Sequence, residues 1–288
     1  MADADQGARP LAMICGGGSF PAAVAEAVVR QGRVPIMFGV NGWANPGIIE
    51  KYTHHWIFIG QLGRFFRLAR SENCRDVLLI GSLLRPPIKQ LRLDWLTIKL
   101  MPRLVRAYSG GDDQLLGGLV RVAEDAGFRI VGLDEVAPEV FVSDGVLGHY
   151  KPSDTDRQDI VRGLETIRAL GPFDIGQAAV VANNQVLAVE AAEGTDNMLS
   201  RIREMRRQGR VASASGTGLL IKAPKPGQDR RFDLPSIGPR TVENVAKAGL
   251  AGIAVSAGST IIAEAAETIA AADRAGIFIV GVSEGDAR

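Results

Sequence analysis

The stretch Leu11–Ala12–Met13–Ile14–Cys15–Gly16–Gly17–Gly18 decides the fold class of this 288-residue chain. Five apolar residues in a row predict a buried strand, and the three glycines directly after it predict a tight turn. The segment from Ala22 to Gln31 then has the pattern of a helix, which Gly32 is suited to end. A buried strand, a glycine turn and a helix in this order are typical of a phosphate-binding unit in a parallel sheet.

Short apolar segments alternate with helical ones along the rest of the chain. Strands are predicted at 34–38, 55–59, 77–80, 128–131, 178–182, 186–189, 218–222, 252–255 and 277–280, and helices at 62–70, 113–126, 156–170, 241–248 and 264–275. Asn183–Asn184 predicts a hairpin turn between two of the later strands.

The fold class predicted from this pattern is α/β, with two domains. We expect a disordered tail at 1–9 and an N-terminal Rossmann-like nucleotide- or sugar-binding domain at 10–145, with a parallel sheet and flanking helices. A C-terminal catalytic α/β domain with a mixed sheet follows at 146–288, after the turn-rich link Val142–Gly145.

Composition excludes several functional classes. The formal net charge is +1, whereas a nucleic-acid-binding chain would be strongly basic. The two cysteines, Cys15 and Cys74, form no C-x-x-C site, and the histidines His54, His55 and His149 lack the spacing of zinc ligands. The first ten residues lack the pattern of a signal peptide, and no apolar run reaches the length of a membrane span, so we expect a cytoplasmic protein.

The glycine loop has two interpretations, a ligand site or a turn that only packs the helix on the strand. We favour ligand binding at Gly16, Gly17 and Gly18, because strand carboxyl ends form the crevice in open sheets. The loop is a weak dinucleotide motif: Pro21 stands where the third glycine would be, and no acidic residue follows the second strand. Gly81 follows another strand and is expected at the same edge.

The densest chemistry lies between Glu190 and Asp233. Glu190 and Glu193 follow a strand among apolar residues, where a carboxylate requires a partner, while Thr195 or Asp196 is expected to cap the next helix.

Two lysines, Lys222 and Lys225, end the next strand and alternate with prolines that restrict the backbone. They suit phosphate oxygens, although a solvated loop is an equal alternative for either one. Asp233 lies between Phe232 and Leu234 before a helix start, which suits Mg²⁺ or an activated water; the alternative is a structural turn aspartate. Together these groups match pyrophosphate chemistry, in which Asp233 with Glu190, Glu193 or Asp196 would hold Mg²⁺ or orient water; Asp233, Glu190 and Glu193 are the metal ligands that we predict.

A basic amphipathic stretch lies between Pro86 and Tyr108. Its cations are Lys89, Arg92, Lys99, Arg103 and Arg106, and they alternate with leucines, isoleucine and Trp95. This pattern is compatible with contact to anionic lipid or with a mouth for acyl chains. We favour a helix that packs on the domain or in a dimer interface.

In these segments the chain resembles the UDP-2,3-diacylglucosamine pyrophosphatases of lipid A biosynthesis, of the type unrelated to calcineurin-like metallophosphoesterases. The resemblance covers the chain after its first nine residues. It is carried by Gly16–Gly18 with Pro21, Gly81 with Arg85–Pro86, Gly111–Leu116, Asp174–Gln177, Leu187–Glu190, Glu193–Leu199, Lys222–Pro226 and Asp233–Gly238. Departures are small: Cys15 and Phe20 stand where alanine and leucine are common in the family.

The resemblance implies a Mg²⁺-dependent hydrolase that releases UMP and 2,3-diacylglucosamine 1-phosphate (lipid X). It also implies that the lipid is held between two domains, a homodimer, and an essential role for Asp233. Peripheral contact with the cytoplasmic face of the inner membrane is an expectation from the basic stretch instead. Lys222 and Lys225 would offset phosphate charge, and the expected substrate contacts are Gly16, Gly17, Gly18, Gly81, Arg85, Asp112, Gln177, Thr195 and Asp196. The rival interpretations are an NAD(P)-dependent oxidoreductase and a non-catalytic UDP-sugar or lipid-binding protein.

Overall fold

The computed structural model describes residues 9–82, 91–108, 112–211, 214–231 and 233–283, without the side chains of 103–108 and 112–115. The chain forms two compact units. The N-terminal unit contains the residues up to Pro138 together with Arg231–Asp233, and the C-terminal unit contains Glu139–Arg230 and the residues from Leu234 onward. The tail predicted at 1–9 lies outside the described residues except for Arg9.

The N-terminal unit is a parallel sheet with helices. Its five strands are ordered β3-β2-β1-β4-β5, and every neighbouring pair is parallel. In chain order its elements are β1 (Pro10–Cys15), α1 (Phe20–Arg30), β2 (Val34–Val40), α2 (Pro46–Ile49), β3 (His54–Ile57), α3 (Leu62–Ser71), β4 (Asp76–Ile80), α4 (Trp95–Tyr108), α5 (Asp112–Asp125), β5 (Arg129–Ile130) and α6 (Leu133–Val136). The Rossmann-like parallel sheet predicted for this half is confirmed.

The core of this unit forms because the strands are apolar on both faces, as a sheet covered by helices requires. Phe38 of β2 is fully buried and meets Phe65 of α3 edge-on, with ring centroids 4.9 Å apart. Phe66 stacks on Phe128, and Val77 of β4 is buried in the same cluster. Helix α3 is thereby fixed against the sheet, with its N-terminus at the carboxyl end of β3.

The C-terminal unit is a mixed sheet of six strands with the order β6-β13-β11-β9-β7-β8. In chain order its elements are β6 (Gly145–Leu147), α7 (Asp154–Leu170), β7 (Ala178–Ala182), β8 (Gln185–Val189), α8 (Gly194–Arg207), β9 (Leu219–Lys222), β10 (Ser236–Ile237), α9 (Pro239–Lys247), β11 (Gly252–Ser256), β12 (Ile261–Ile262), α10 (Ala265–Ala275) and β13 (Phe278–Val282). The central strands β9, β11 and β13 are parallel, whereas β6 and β7 are antiparallel to their neighbours. The mixed sheet predicted for this half is confirmed.

The two faces of this sheet bury different helices. Leu220, Ile253 and Ile279 pack with the helices α8, α9 and α10, while Leu219 and Ile221 pack with α7. This division follows from the two-residue period of strand side chains. Lys222 therefore shares the α8–α9 face with Leu220.

The predicted hairpin at Asn183–Asn184 is confirmed. Both residues have positive φ angles, 52° and 62°, as a tight hairpin turn between β7 and β8 requires. The buried carboxylate of Asp159 in α7 accepts hydrogen bonds from the backbone N–H groups of both asparagines. The turn is thus fixed to the helix that covers it.

The division between the units lies a few residues before the predicted boundary at 145. The backbone N–H of Val142 donates to Thr260 O at 2.9 Å, and Phe141 forms a bridge with Ile261, so this link already belongs to the C-terminal unit. The link also continues into the antiparallel edge strand β6, where the sequence predicted only a turn. In the described ranges, none of the helices combines the length and the apolar character that crossing a membrane requires.

Candidate functional site

The glycine loop after β1 is joined to the loop after β4 by backbone hydrogen bonds. Gly16 N donates to Ile80 O at 2.8 Å, and Gly17 exchanges hydrogen bonds with Ser82 at 2.8 and 3.0 Å. The N–H groups of Gly16 and Gly17 are therefore used inside the protein. Binding of an anion here would depend on the backbone from Gly18 onward and on the start of α1.

Gly81 explains how closely these two loops approach. It has a φ of +90°, and a Cβ atom placed on it would lie 2.8 Å from Gly17 O and 3.0 Å from the carbonyl carbon of Gly16. At Gly18, which has a φ of +95°, an added Cβ atom would have none of the described atoms beyond its chain neighbours within 4 Å. Gly81 thus has a demonstrated packing role, and substrate binding by Gly16, Gly17, Gly18 and Gly81 stays a prediction.

A buried lysine marks the carboxyl edge of the C-terminal sheet. Lys222 ends β9 with only 7% of its surface exposed, and its Nζ donates to Ser236 O at 3.0 Å. Burial lowers the pKa of Lys222 below the ordinary value, while the negative charges of Glu190 and Asp196 act in the opposite direction. A buried titratable group with a shifted pKa at a strand edge is a candidate functional residue.

Glu190 is held by donors on both of its carboxylate oxygens. Gln177 N donates to Oε2 at 3.0 Å, and the Thr195 hydroxyl donates to Oε1 at 2.7 Å. The chain can pass this close because of Gly176, where an added Cβ atom would lie 2.1 Å from Glu190 O. The structure therefore brings together the predicted residues Gln177, Glu190, Thr195, Asp196 and Lys222.

The expected capping role of Thr195 or Asp196 is wrong. Helix α8 begins at Gly194 with Glu193 as its N-cap residue, and the Thr195 hydroxyl is instead directed to Glu190. Asp196 lies in the first turn, where Asn244 Nδ2 donates to it at 2.8 Å and Arg240 pairs with it at 2.8 Å. Because the helix begins at Gly194, Thr195 and Asp196 lie inside its first turn and not at the N-cap position, where a side chain accepts from backbone N–H groups.

A cavity of about 400 Å³ lies at the same strand edge but on the α7 side of the sheet. Its lining contains three cationic residues, Arg168, Lys225 and Arg230, and both polar and apolar surface. Its lining is Leu164, Ile167, Arg168, Ala223, Pro224, Lys225, Pro226, Gly227, Gln228, Arg230, Ser256, Val282 and Ser283. Carboxyl ends of parallel strands are the usual place for ligands in such sheets.

The two predicted lysines therefore lie on opposite faces of the sheet. Lys222 interacts with Asp196 at the start of α8, whereas Lys225 lines the cavity with Ile167 of α7 and forms an ion pair with Asp174. The sequence predicted both lysines at one phosphate site. The two-residue period of β9 places Lys222 on the α8–α9 face, and the irregular segment Ala223–Pro224 after the strand carries Lys225 to the α7 side.

The predicted metal ligands Asp233, Glu190 and Glu193 do not form a preassembled metal site among the described residues. Within 9–82, 91–108, 112–211, 214–231 and 233–283 there is no group of three or more histidine, cysteine or acidic side chains suited to a metal. Glu193 pairs with Arg201 at 2.6 Å, and Glu190 is engaged as described above. Asp233 is grouped with the N-terminal unit, whereas Glu190 and Glu193 belong to the C-terminal one.

These carboxylates fit Mg²⁺ if substrate phosphates and waters supply most of its ligands. Mg²⁺ prefers oxygen ligands, retains several waters and is commonly held by one or two carboxylates with substrate phosphates. A prebuilt cage of three side chains is therefore not required, and the assignment of Asp233, Glu190 and Glu193 as ligands stays a prediction.

Some predicted residues lie outside the description. Arg85 and Lys89 fall among residues that the structure does not describe, and so do the side chains of Asp112, Arg103 and Arg106.

The sequence analysis did not identify several residues that contact the predicted site residues in the fold. Asn244 and Arg240 reach Asp196 from α9, and Ser236 offers Lys222 only a backbone carbonyl, which carries no signal in the sequence.

The fold and this polar edge define a two-domain α/β protein with a Rossmann-like N-terminal unit and a candidate anion site in its C-terminal unit. The family model for the LpxI N-terminal domain matches residues 10–140, and that for the LpxI C-terminal domain matches residues 143–280. UDP-2,3-diacylglucosamine pyrophosphatase LpxI of Caulobacter vibrioides is 39% identical over 274 residues, which cover 95% of this chain and 98% of that protein. The chain belongs to the LpxI family.

Proposed function

We propose that this protein hydrolyses the pyrophosphate of UDP-2,3-diacylglucosamine to UMP and lipid X, as a step of lipid A biosynthesis. In this reaction the water oxygen forms a new bond to one phosphorus while one bond of the P–O–P bridge breaks. The proposal is carried by the similarity to the Caulobacter enzyme, which extends over both units. The buried Lys222 at the strand edge supplies a charge that this reaction needs.

In this proposal Lys222 stabilises the charge that develops on a phosphoryl oxygen. Its ammonium is already desolvated and is held by Ser236 O at 3.0 Å, so little reorganisation is needed when phosphate binds. The negative charges of Glu190 and Asp196 favour the charged form of this ammonium and oppose the effect of burial on its pKa. Thr195 and Gln177 in turn hold Glu190, which gives them positioning roles next to the substrate.

Lys225 is the second lysine that we propose to contact the substrate. It lines the α7-side cavity with Arg168 and Arg230, and these three cations favour an anionic portion of the ligand there. The Lys225 ammonium pairs with Asp174, which holds it near the cavity. Arg168→Ala and Lys225→Ala should then raise KM more than they lower kcat.

We propose Mg²⁺ as the cofactor, with Asp233, Glu190 and Glu193 as its candidate protein ligands. When bound, the ion would act as a Lewis acid on a phosphoryl oxygen. The test combines activity in Mg²⁺ and in EDTA with direct titration of Mg²⁺ into the protein without substrate. The expected result is metal-dependent turnover and weakened Mg²⁺ binding in the Asp233→Asn variant.

The role of Asp233 is tested by Asp233→Ala. We expect a folded protein that binds the lipid substrate and turns it over at least about a hundredfold more slowly, because a metal ligand or water-orienting group is lost. Glu165→Ala, which removes an exposed carboxylate from α7, is the matched control and should retain activity. Near-normal turnover by Asp233→Ala with an unchanged melting temperature would exclude the role.

The reaction itself is tested by incubating purified protein with UDP-2,3-diacylglucosamine and measuring UMP and lipid X. Release of both in equal amounts supports the proposal. Tight binding without release would favour a lipid-binding protein, and saturable NAD(H) binding at the glycine loop would favour an oxidoreductase. We further propose that the protein works in the cytoplasm as a homodimer, which light scattering of the purified protein tests.

A further inference from the structure

Three large apolar side chains are exposed where α4 begins. Trp95 is 80% exposed, Ile98 is 49% exposed and Leu93 is 41% exposed. Trp95 and Ile98 are three residues apart and therefore share one face of the helix. We refer to Leu93, Trp95 and Ile98 as the α4 patch. The outer face of a surface helix normally carries polar residues, so this patch requires an explanation.

The patch is held in place by hydrogen bonds to the start of α3. Asp94 Oδ1 accepts from Thr97 N at 2.9 Å and caps α4, while its Oδ2 accepts from Arg64 N at 2.9 Å. Leu62 N donates to the buried Thr97 hydroxyl at 3.1 Å, and Asp94 N donates to Gly60 O at 3.1 Å. The apolar side chains are thus presented by an ordered element rather than by a loose loop.

Cationic side chains belong to the same two helix starts. Arg64 and Arg67 are exposed one turn apart on α3, and Lys99 follows Trp95 by four residues on α4. The Arg92 guanidinium lies 3.9 Å from the centre of the Phe58 ring, and Arg92 directly precedes Leu93 in the sequence. Among the described residues 91–102, Asp94 is the one acidic residue, and it accepts hydrogen bonds from the backbone N–H groups of Arg64 and Thr97.

We propose that the α4 patch inserts into the surface of an anionic membrane, with Arg64, Arg67, Arg92 and Lys99 in contact with lipid phosphates. Tryptophan is favoured at the boundary between lipid and water, because its ring is apolar and its N–H is polar. Cations around an apolar patch match a negatively charged bilayer. Binding of this kind requires no catalysis, so it stands or fails separately from the proposed reaction.

The test is sedimentation of the full chain with vesicles of phosphatidylcholine alone or mixed with phosphatidylglycerol. The expected result is binding to the anionic vesicles that weakens with salt. Trp95→Ser combined with Ile98→Ser should lower the partition coefficient by about tenfold or more. Arg67→Gln combined with Lys99→Gln should lower it roughly 30-fold, about fivefold per cation, on the anionic vesicles only.

Phe173→Ser is the matched control, because Phe173 is 73% exposed in the C-terminal unit. It should leave the partition coefficient unchanged, and all variants should keep the wild-type melting temperature because the altered side chains are exposed. Absence of binding to anionic vesicles, or equal binding by the Trp95 variant, would overturn the proposal. Conversion of a dimer to a monomer by the Trp95 variant would assign the patch to a subunit interface and would also overturn it.

Discussion

Replacing Lys222 by methionine tests the centre of the proposed site. Methionine keeps most of the volume of the lysine stem but removes the ammonium, and with it the hydrogen bond to Ser236 O. Leaving that carbonyl without its donor should cost about 1–3 kcal/mol of folding stability. Glu190 retains its donors from Gln177 and Thr195, so the rest of the cluster should persist.

The expected effect on activity is larger than the effect on stability. Loss of one preorganised group that stabilises developing charge reduces turnover by about 100- to 1000-fold, equivalent to about 2.7–4 kcal/mol of transition-state stabilisation. The assay is UMP release under saturating substrate, together with a thermal melt of each variant. Lys247→Met removes an exposed lysine from α9 and serves as the matched control.

The pH dependence separates an electrostatic role of Lys222 from a packing role. Burial lowers the pKa of Lys222, so its ammonium is lost at a lower pH than that of an ordinary lysine. Activity that needs the charge should fall as the pH rises through this pKa. Lys222→Arg keeps a charge at all accessible pH values and should shift that alkaline fall upward. Folded Lys222→Met with turnover within about threefold of wild type would refute the reasoning, since about 0.7 kcal/mol is too little for this role.

Two further predictions concern the stability of the N-terminal unit. Burial raises the pKa of Asp76, but its hydrogen bonds with Arg129 and Arg33 outweigh this effect and lower the pKa overall. The stabilisation of the folded state by ionised Asp76 is complete above the pKa of the unfolded state and is lost as the pH falls through the pKa of the folded state. In denaturant titrations, Asp76→Asn should therefore lower the free energy of unfolding by about 1–3 kcal/mol at neutral pH and by progressively less below about pH 4. Equal losses at both pH values would contradict it. Gly81→Ala should destabilise the protein by well over the roughly 1 kcal/mol expected for Gly18→Ala, because of these two glycines only Gly81 faces backbone atoms within 3 Å. Equal melting temperatures of the two variants would contradict this.

The sequence predicted the alternation of strands and helices well because the decisive signals are local. Buried strands such as β1 are continuous apolar runs, and the Asn183–Asn184 turn requires residues that tolerate positive φ. The edge strand β6 was missed because its three residues are paired on one side only and form no apolar run. Short edge strands depend on their partner, here β13, which lies far away in the sequence.

The candidate site was predicted in its residue types and less well in its geometry. Glu190 was selected because a carboxylate next to an apolar strand requires a partner, Lys222 because prolines follow it at a strand end, and Asp196 as a helix cap. The structure places the three charges near one another. The direction of the Thr195 hydroxyl depends on Glu190 being within reach, which no local pattern encodes. Lys225 is three residues from Lys222, yet the turn between them places it across the sheet.

The brief return of the chain to the N-terminal unit at Arg231–Asp233 affects how the protein can be divided by genetic means. Arg231 forms an ion pair with Glu124 at 2.8 Å. A fragment that ends at Pro138 therefore lacks Arg231, although this residue is part of the N-terminal unit. The complementary fragment would retain Asp233 but not the unit with which that residue is grouped. In co-expressed halves the Arg231–Glu124 ion pair would join the two fragments, so we expect substitutions at Glu124 to weaken fragment complementation.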